Sequence, residues 1–425
     1  MALIKKLYSQ AHHLFFNKGG YTLLYRILGM GMSFLSITII TNQFGGDDYG
    51  LFTLSLTILQ IATMFFSLGL PSAFIAFTGG FSSKAENKGL LIKSYKIILL
   101  TAILPLTLLY CQSDQVALLF SKPNLDFYIK TVAIGIIIQV LFELNINYFL
   151  SIHRQDLYAI FYFLLPNTLF IGILLLFKTV NLPDNYCMVA YVVTYLLVLL
   201  GTSGFVFLQG NIVKVAVSTK EFLNKSIPMM LSGFFLILLN WTDILMLGKL
   251  ETEENIGIYN AAFKVGYLTL FFVTMMNSFV VPKLSEFHHQ KDYLSMKNFV
   301  NKATRIVSIL TLPVALFIIF FSNQILNYFG PGFEAGALSL IFITLGALFN
   351  AMTGNVDQIL NMTNHQNLVR NIMFIGFLIN IVGNLFLIPK YGYLGAAISS
   401  FVVNIIVNTI FVVIIKKKLG FYTFM

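Results

Sequence analysis

The chain has 425 residues, of which 57% are hydrophobic and only 10% charged, with 43 Phe and a formal net charge of +10. Soluble domains carry about 25% charged residues, so 27 basic and 17 acidic side chains cannot clothe this length in a water-soluble surface. Two cysteines, Cys111 and Cys187, cannot staple a secreted disulfide scaffold of this size, and the hydrophobicity excludes disorder.

What remains is a polytopic membrane protein, whose spans each need about 20 apolar residues. The opening segment, 1–19, is basic, with Leu3, Ile4, Leu7 and Leu14 to Phe16 at loosely helical spacing. It fits either an amphipathic segment on the inner membrane surface or a solvated terminus, and lacks the pattern of a cleaved signal. Apolar windows then predict twelve helical spans, near 20–43, 50–78, 94–112, 129–150, 157–178, 186–208, 226–248, 257–282, 303–322, 334–361, 367–388 and 393–415. The runs are too long for barrel strands and do not alternate, so the predicted fold is all-α. Residues 20–208 form a first six-helix group, 209–225 a cytoplasmic linker, 226–415 a second group and 416–425 a cytoplasmic tail.

The basic excess has a pattern. With the N-terminus inside, the termini and even-numbered loops carry most of the Lys and Arg, including Lys84, Lys88, Lys93, Lys220, Lys297 and Lys416 to Lys418. The opposite side holds Asp47, Asp48, Glu251, Glu253 and Glu254. Cytoplasmic loops attract Lys and Arg, so the charge is read as topology with both termini cytoplasmic, and no nucleic-acid partner is expected. All loops are short, which leaves no room for a soluble catalytic domain.

The halves align at an offset near 207–211. DDYGLF (Asp47 to Phe52) falls over ENIGIY (Glu254 to Tyr259), and RQDLYAI (Arg154 to Ile160) over HQNLVRN (His365 to Asn371). Six spans per half keep one orientation, so a duplication predicts two parallel six-helix bundles about an axis along the membrane normal, a transporter design. That architecture alone names no cargo.

Ionisable groups inside spans are costly and mark candidate sites. More than three residues in from the predicted ends there are six: Arg26, Glu143, Asp243, Lys264, Asp357 and Arg370. At about 1.5 Å per residue, Asp243 matches Lys264 in depth and Asp357 matches Arg370, so each pair fits an internal ion pair; Arg26 with Glu143 is a third candidate. The alternative is that Arg26 and Lys264 meet an anionic cargo, since guanidinium and ammonium suit phosphate oxygens in low dielectric. Amides concentrate in the C-terminal half, at Asn240, Asn350, Asn355, Asn361, Asn380, Asn384, Asn404 and Asn408. Asn380 with Asn384, and Asn404 with Asn408, share helix faces at i, i+4. They fit interhelical packing, a hydrated path, or cation coordination with Asp357. Pro71, Pro105, Pro166, Pro228, Pro282 and Pro313 permit bends. His lies only in or beside loops, and no metal-ligand spacing, P-loop or nucleophile elbow occurs.

NWTDILMLGKL (Asn240 to Leu250) followed by ENIGIYNAAFKV (Glu254 to Val265) resembles polysaccharide-repeat flippases. NLFLIPKYGYLGAAISS (Asn384 to Ser400) is similar to the N-x-x-L-I-P-x-Y-G-x-x-G-A-A element of those flippases, and FGGDDYGLFTLSL (Phe44 to Leu56) to their Gly-x-x-x-Tyr-Gly element. The family resembled is the Wzx-type O-antigen and exopolysaccharide flippases, in the superfamily of the lipid II flippases and MATE exporters. The resemblance implies alternating access in the bacterial inner membrane and an undecaprenyl-diphosphate-linked oligosaccharide as cargo. Its diphosphate would meet Arg26 and Lys264, and its tail would stay in lipid. It implies no cofactor beyond a proton or sodium gradient, coupled through Glu143, Asp243 or Asp357. Membrane lipids, a polysaccharide polymerase and a chain-length regulator are the implied partners. A MATE-type drug or cation antiporter is the first alternative, and a membrane enzyme of polysaccharide assembly, such as a polymerase, the second.

Overall fold

The computed structural model describes residues 18–79, 83–208, 212–213, 215 and 217–424; most of the predicted amphipathic segment lies outside them. Every regular element among the described residues is helical. Eleven helices there are long and apolar enough to cross a membrane, and the 32-residue helix Thr219–Leu250 covers the predicted seventh span. Together these describe a multi-pass membrane protein. The chain divides into two compact units, Met1–Phe234 and Phe235–Met425.

The first unit contains α1 (Lys18–Gln43), α2 (Gly46–Phe66), α3 (Leu70–Thr78), α4 (Lys84–Cys111), α5 (Ser113–Leu119), α6 (Leu125–Ser151), α7 (Gln155–Ala159), α8 (Leu165–Thr179) and α9 (Cys187–Phe207). Central α6 has 61% of its apolar window buried, against 17% for Gln155–Thr179 at the periphery. A polar node holds α6 to its neighbours. Asn145 donates to Thr202 Oγ1 and Ser203 Oγ, both at 3.0 Å, and accepts from Tyr95 Oη at 2.7 Å. In an apolar surround such bonds have no water to compete with them.

Helix α10 is Thr219–Leu250. The second unit continues with α11 (Glu253–Tyr267), α12 (Phe271–His289), α13 (Tyr293–Phe320), α14 (Ser322–Asn327), α15 (Ala337–Thr353), α16 (Val356–Met362), α17 (Gln366–Tyr391) and α18 (Tyr393–Leu419). Helices α15 and α17 both pack along α18. Side chains such as Leu100, Leu104, Phe320 and Phe386 stand exposed on long apolar helices, where lipid covers them.

Three predicted spans are broken rather than continuous. The second breaks at Ser67–Gly69, where Leu68 and Gly69 take φ of 52° and 69°. The eighth passes through a tight turn at Leu268–Leu270, and the tenth breaks at Gly354, with φ of 82°. Apolar composition carried the windows across these points because hydropathy is blind to backbone sign. The segments matched between the halves all begin helices: Asp47 and Asp48 lie in the first turn of α2, Glu253 and Glu254 in that of α11. Arg154 and His365 stand at the N-caps of α7 and α17. Elsewhere side chains cap the ends. Ser83 and Glu86 form a reciprocal capping box at α4. Asp292 accepts from Ser295 N at 3.0 Å at α13, and its bonds to Ser295 hold its carboxyl below the ordinary value.

The turn between α17 and α18 explains the Tyr-Gly-x-x-Gly spacing. Gly392 has φ of 61°, and a Cβ on Gly395 would lie 2.2 Å from the Leu387 carbonyl oxygen. Both demands admit only glycine. Gly395→Val is therefore expected to destabilise the second unit by about 1–3 kcal/mol, the usual cost of overpacking. The check is thermal unfolding in detergent; an unchanged midpoint contradicts the packing described.

Candidate functional site

In the second unit, Asp243 on α10 is 2% exposed. Its Oδ1 accepts from Asn384 Nδ2 at 2.7 Å and Asn380 Nδ2 at 3.1 Å; its Oδ2 accepts from Tyr259 Oη and Ser400 Oγ. Four helices, α10, α11, α17 and α18, thus meet on one carboxylate. The i, i+4 spacing of Asn380 and Asn384 puts both amides on the same face of α17, as read from sequence. Glycine lets α17 and α18 approach: a Cβ on Gly383 would lie 2.4 Å from Ser399 Oγ. Asn384 is fully buried, and its Oδ1 has no hydrogen-bond partner among the described residues.

Asp243 does not pair with Lys264. Lys264 is half-buried and makes no ion pair or hydrogen bond among the described residues. Helical geometry gives the reason: Lys264 follows Tyr259 by five residues, about 140° around α11, so Tyr259 rather than Lys264 faces the carboxylate. Asp357 and Arg370 do not pair either. The break at Gly354 puts Asp357 in the first turn of short α16, where its Oδ2 accepts from Gln358 Nε2 at 2.8 Å. Arg370 is exposed and donates to Asn371 Oδ1 at 3.4 Å. Asn404 and Asn408 bond back to carbonyls of their own helix, Ser400 O at 3.0 Å and Asn404 O at 2.8 Å. The side chain of Asn240 lies outside the described residues.

In the first unit, Arg26 on α1 stacks over the Phe163 ring, 5.7 Å from its centroid. Phe163 belongs to a π-turn, Ile160–Leu164, between α7 and α8. Pro166 accounts for this turn, since it has no N–H for the Tyr162 carbonyl. The Phe163 carbonyl accepts from Asn167 Nδ2 at 2.7 Å instead. Gly29 admits the turn against α1, because a Cβ there would lie 2.2 Å from Phe163 O.

Glu143 on α6 is half-buried; its carbonyl accepts from Asn147 Nδ2 at 2.8 Å, and its carboxylate has no hydrogen bond or ion pair among the described residues. It lies within electrostatic reach of Tyr162, Tyr191 and Tyr195, and Arg26 also acts on Tyr162. Arg26 and Glu143 therefore flank one tyrosine without bonding each other. The rings form a continuous group: Tyr158 stacks on Tyr162 at 5.4 Å, Phe142 on Tyr162 at 6.4 Å, and Tyr191 lies 4.6 Å from Tyr195. No group of three His, Cys, Asp or Glu capable of holding a metal occurs among the described residues. Sequence reasoning missed Tyr259, Ser400 and the tyrosines. Tyr259 comes level with Asp243 because α10 runs on to Leu250 and α11 already starts at Glu253, beyond the predicted ends at 248 and 257.

The chain matches the family described as Polysaccharide biosynthesis protein over residues 15–288. It belongs to that family. A second match, to the MatE family, covers residues 228–386. Among sequence relatives of this family member, the Haloferax volcanii protein named Probable low-salt glycan biosynthesis flippase Agl15 is 23% identical over 187 residues, 43% of this chain and 39% of that protein. The chain thus spans about two-fifths of that relative's length. The Methanocaldococcus jannaschii Uncharacterized membrane protein MJ1068 is 24% identical over 409 residues, 89% of this chain and 79% of its own.

Two solved structures share the fold. An inward-facing multidrug resistance MATE family transporter of the MOP superfamily superposes with a TM-score of 0.79 at 13% identity, over 94% of this chain and 98% of that one. Lipid II flippase MurJ, in its inward closed conformation, gives 0.75 at 16% identity, over 94% and 87%. The architecture is therefore MATE-like.

Asp243→Ala leaves two amides and two hydroxyls facing a void. Each stranded donor costs about 1–3 kcal/mol unless water enters, so a large fall in the unfolding midpoint is expected, with Asp243→Asn intermediate. Thermal unfolding of both variants in detergent is the check, and equal midpoints for wild type and Asp243→Ala contradict the network.

Proposed function

We propose that the protein is a flippase for a lipid-linked oligosaccharide, acting by alternating access and catalysing no covalent chemistry. The observation that carries this reading is the pair of intramembrane cations without acidic partners. Arg26 lies over the Phe163 ring, and neither Arg26 nor Lys264 has an ion pair among the described residues. An uncompensated charge in an apolar span is costly, and a diphosphate would offset that cost while leaving the lipid tail in the bilayer. Membership of the polysaccharide biosynthesis family and likeness to a protein named as a glycan flippase support the same cargo class.

In its finer form the cargo is an undecaprenyl-diphosphate-linked repeat unit of O-antigen type. It is made at the cytoplasmic face of a bacterial inner membrane and handed to a polymerase and chain-length regulator outside, with both termini of the flippase cytoplasmic. Coupling to a proton or sodium gradient belongs to this reading. Asp243 and the orphaned Asn384 Oδ1 are oxygen donors suited to a sodium ion, since turning an Asn amide exchanges donor for acceptor at one place. Glu143, whose carboxylate has no bonded partner among the described residues, is suited to carrying a proton. The second reading, a MATE-type antiporter, is favoured by the match over residues 228–386 and the MATE-like fold.

Complementation of flippase-deficient strains with defined repeat units separates the two. Wild type is expected to restore surface polysaccharide. Arg26→Ala and Lys264→Ala are each expected to lower it at least tenfold at equal membrane abundance. Full polysaccharide from both variants overturns the cation reading. A wild type that restores none but confers drug efflux favours the antiporter.

A further inference from the structure

The second unit contains a cavity of about 570 Å³ among α13, α15, α18 and the tail that follows α18. This is within the size range of small-ligand sites, about 300–1,000 Å³. One wall is polar: Asn301, Thr304, Arg305 and Ser308 recur at three- and four-residue spacing and so share a face of α13. The other walls are largely apolar, with Phe349 and Met352 from α15 and Val412 and Val413 from α18. The tail closes one side. Gly420 turns the chain at φ of 84°, Phe421 enters the core, and Thr423 donates to Thr353 O, which leaves Tyr422 and Phe424 against the cavity.

Two features of the polar wall are unexplained by the protein itself. Arg305 is exposed at the mouth of the cavity and makes no hydrogen bond or ion pair among the described residues, and no acid lines the cavity. Asn301 Oδ1 is buried without a partner among the described residues. The cavity thus offers a guanidinium and an amide to an anion, and an unpaired acceptor to a hydroxyl. Its outlook is equally specific. Ile309, Leu312 and Leu316 continue the face of Arg305 along α13 and are exposed, as are Met352 and Val413. In a multi-pass protein such a face meets hydrocarbon. Lys416, over the Tyr422 ring at 4.8 Å, adds positive charge at the tail end.

We propose that this cavity is a site for one anionic phospholipid of the phosphatidylglycerol kind, independent of the cargo site. Its phosphate lies on Arg305 with Asn301 Nδ2, and a glycerol hydroxyl of its headgroup donates to Asn301 Oδ1. Its acyl chain lies against Phe349, Met352 and Val413. Basic pockets between membrane helices take anionic headgroups by the same complementarity, and the planar guanidinium suits phosphate oxygens.

Native mass spectrometry of the full chain, released from detergent carrying either phosphatidylglycerol or phosphatidylcholine, tests the site. Wild type is expected to retain one phosphatidylglycerol under conditions that strip phosphatidylcholine. Arg305→Ala, which removes the anchor, and Val413→Trp, which fills the apolar end, should each cut retention at least tenfold. Arg305→Lys should restore part of it. Unfolding midpoints in lipid-free detergent establish that each variant is folded; should Arg305→Ala fail there, Arg305→Gln takes its place. Phosphatidylglycerol should raise the midpoint of wild type and not of the Arg305 variant. Equal retention of the two lipids, or retention indifferent to both substitutions, overturns the proposal. So does displacement of phosphatidylglycerol by substoichiometric undecaprenyl phosphate, which assigns the cavity to a polyprenyl chain.

Discussion

A carboxylate withdrawn from water must be met by donors or by a cation, and Asp243 organises the second unit because four donors meet it. Two amides and two hydroxyls from three helices point at one side chain of a fourth. Three of the donors, Tyr259, Asn380 and Asn384, are themselves buried, so their bonds are worth keeping from both ends. Such a cluster is rigid as long as it is complete. It is also adaptable in one respect, because the oxygen of Asn384 is left over and an amide can turn.

The first unit treats its deep charges differently. Glu143 and Arg26 stand on either side of Tyr162, and neither is bonded to the other. Their surroundings are aromatic rings, which offer a negative face to the guanidinium and little to the carboxylate. The π-turn imposed at Pro166 sets this arrangement, since it carries the Phe163 ring over Arg26 while Asn167 takes up the carbonyl. One unit thus holds an anion met by four donors, the other an anion whose carboxylate has no hydrogen bond or ion pair among the described residues.

The all-helical fold and eleven of the predicted spans, counted among the described residues, were legible in the sequence because about 20 apolar residues in a row admit few other meanings. The shared face of Asn380 and Asn384 was legible for a related reason: helical period survives without knowledge of the partner. Pairing by depth failed at Asp243 and Lys264 because the helices end at Leu250 and start at Glu253, which sets Lys264 about one turn deeper than Asp243, and because azimuth is a second coordinate. The residue at the right depth and azimuth was Tyr259. Pairing failed at Asp357 and Arg370 because the span between them and the core is broken at Gly354, and a positive φ leaves no trace in hydropathy.

Arg305 shows a further limit of the same kind. In sequence it stands near the end of a span among Lys297 and Lys302, where positive charge is read as topology. That reading explains why a base is at this depth and says nothing about the side it faces. The face becomes meaningful only when the tail folds back beyond Gly420 and Thr423 fixes it to Thr353, which turns an interfacial arginine into the polar end of an apolar groove. A charge can therefore serve orientation during insertion and ligand binding afterwards. The two roles are distinguishable, because the first tolerates a shift of one residue along the helix and the second does not: one residue is about 100° of rotation, enough to carry the guanidinium out of the cavity.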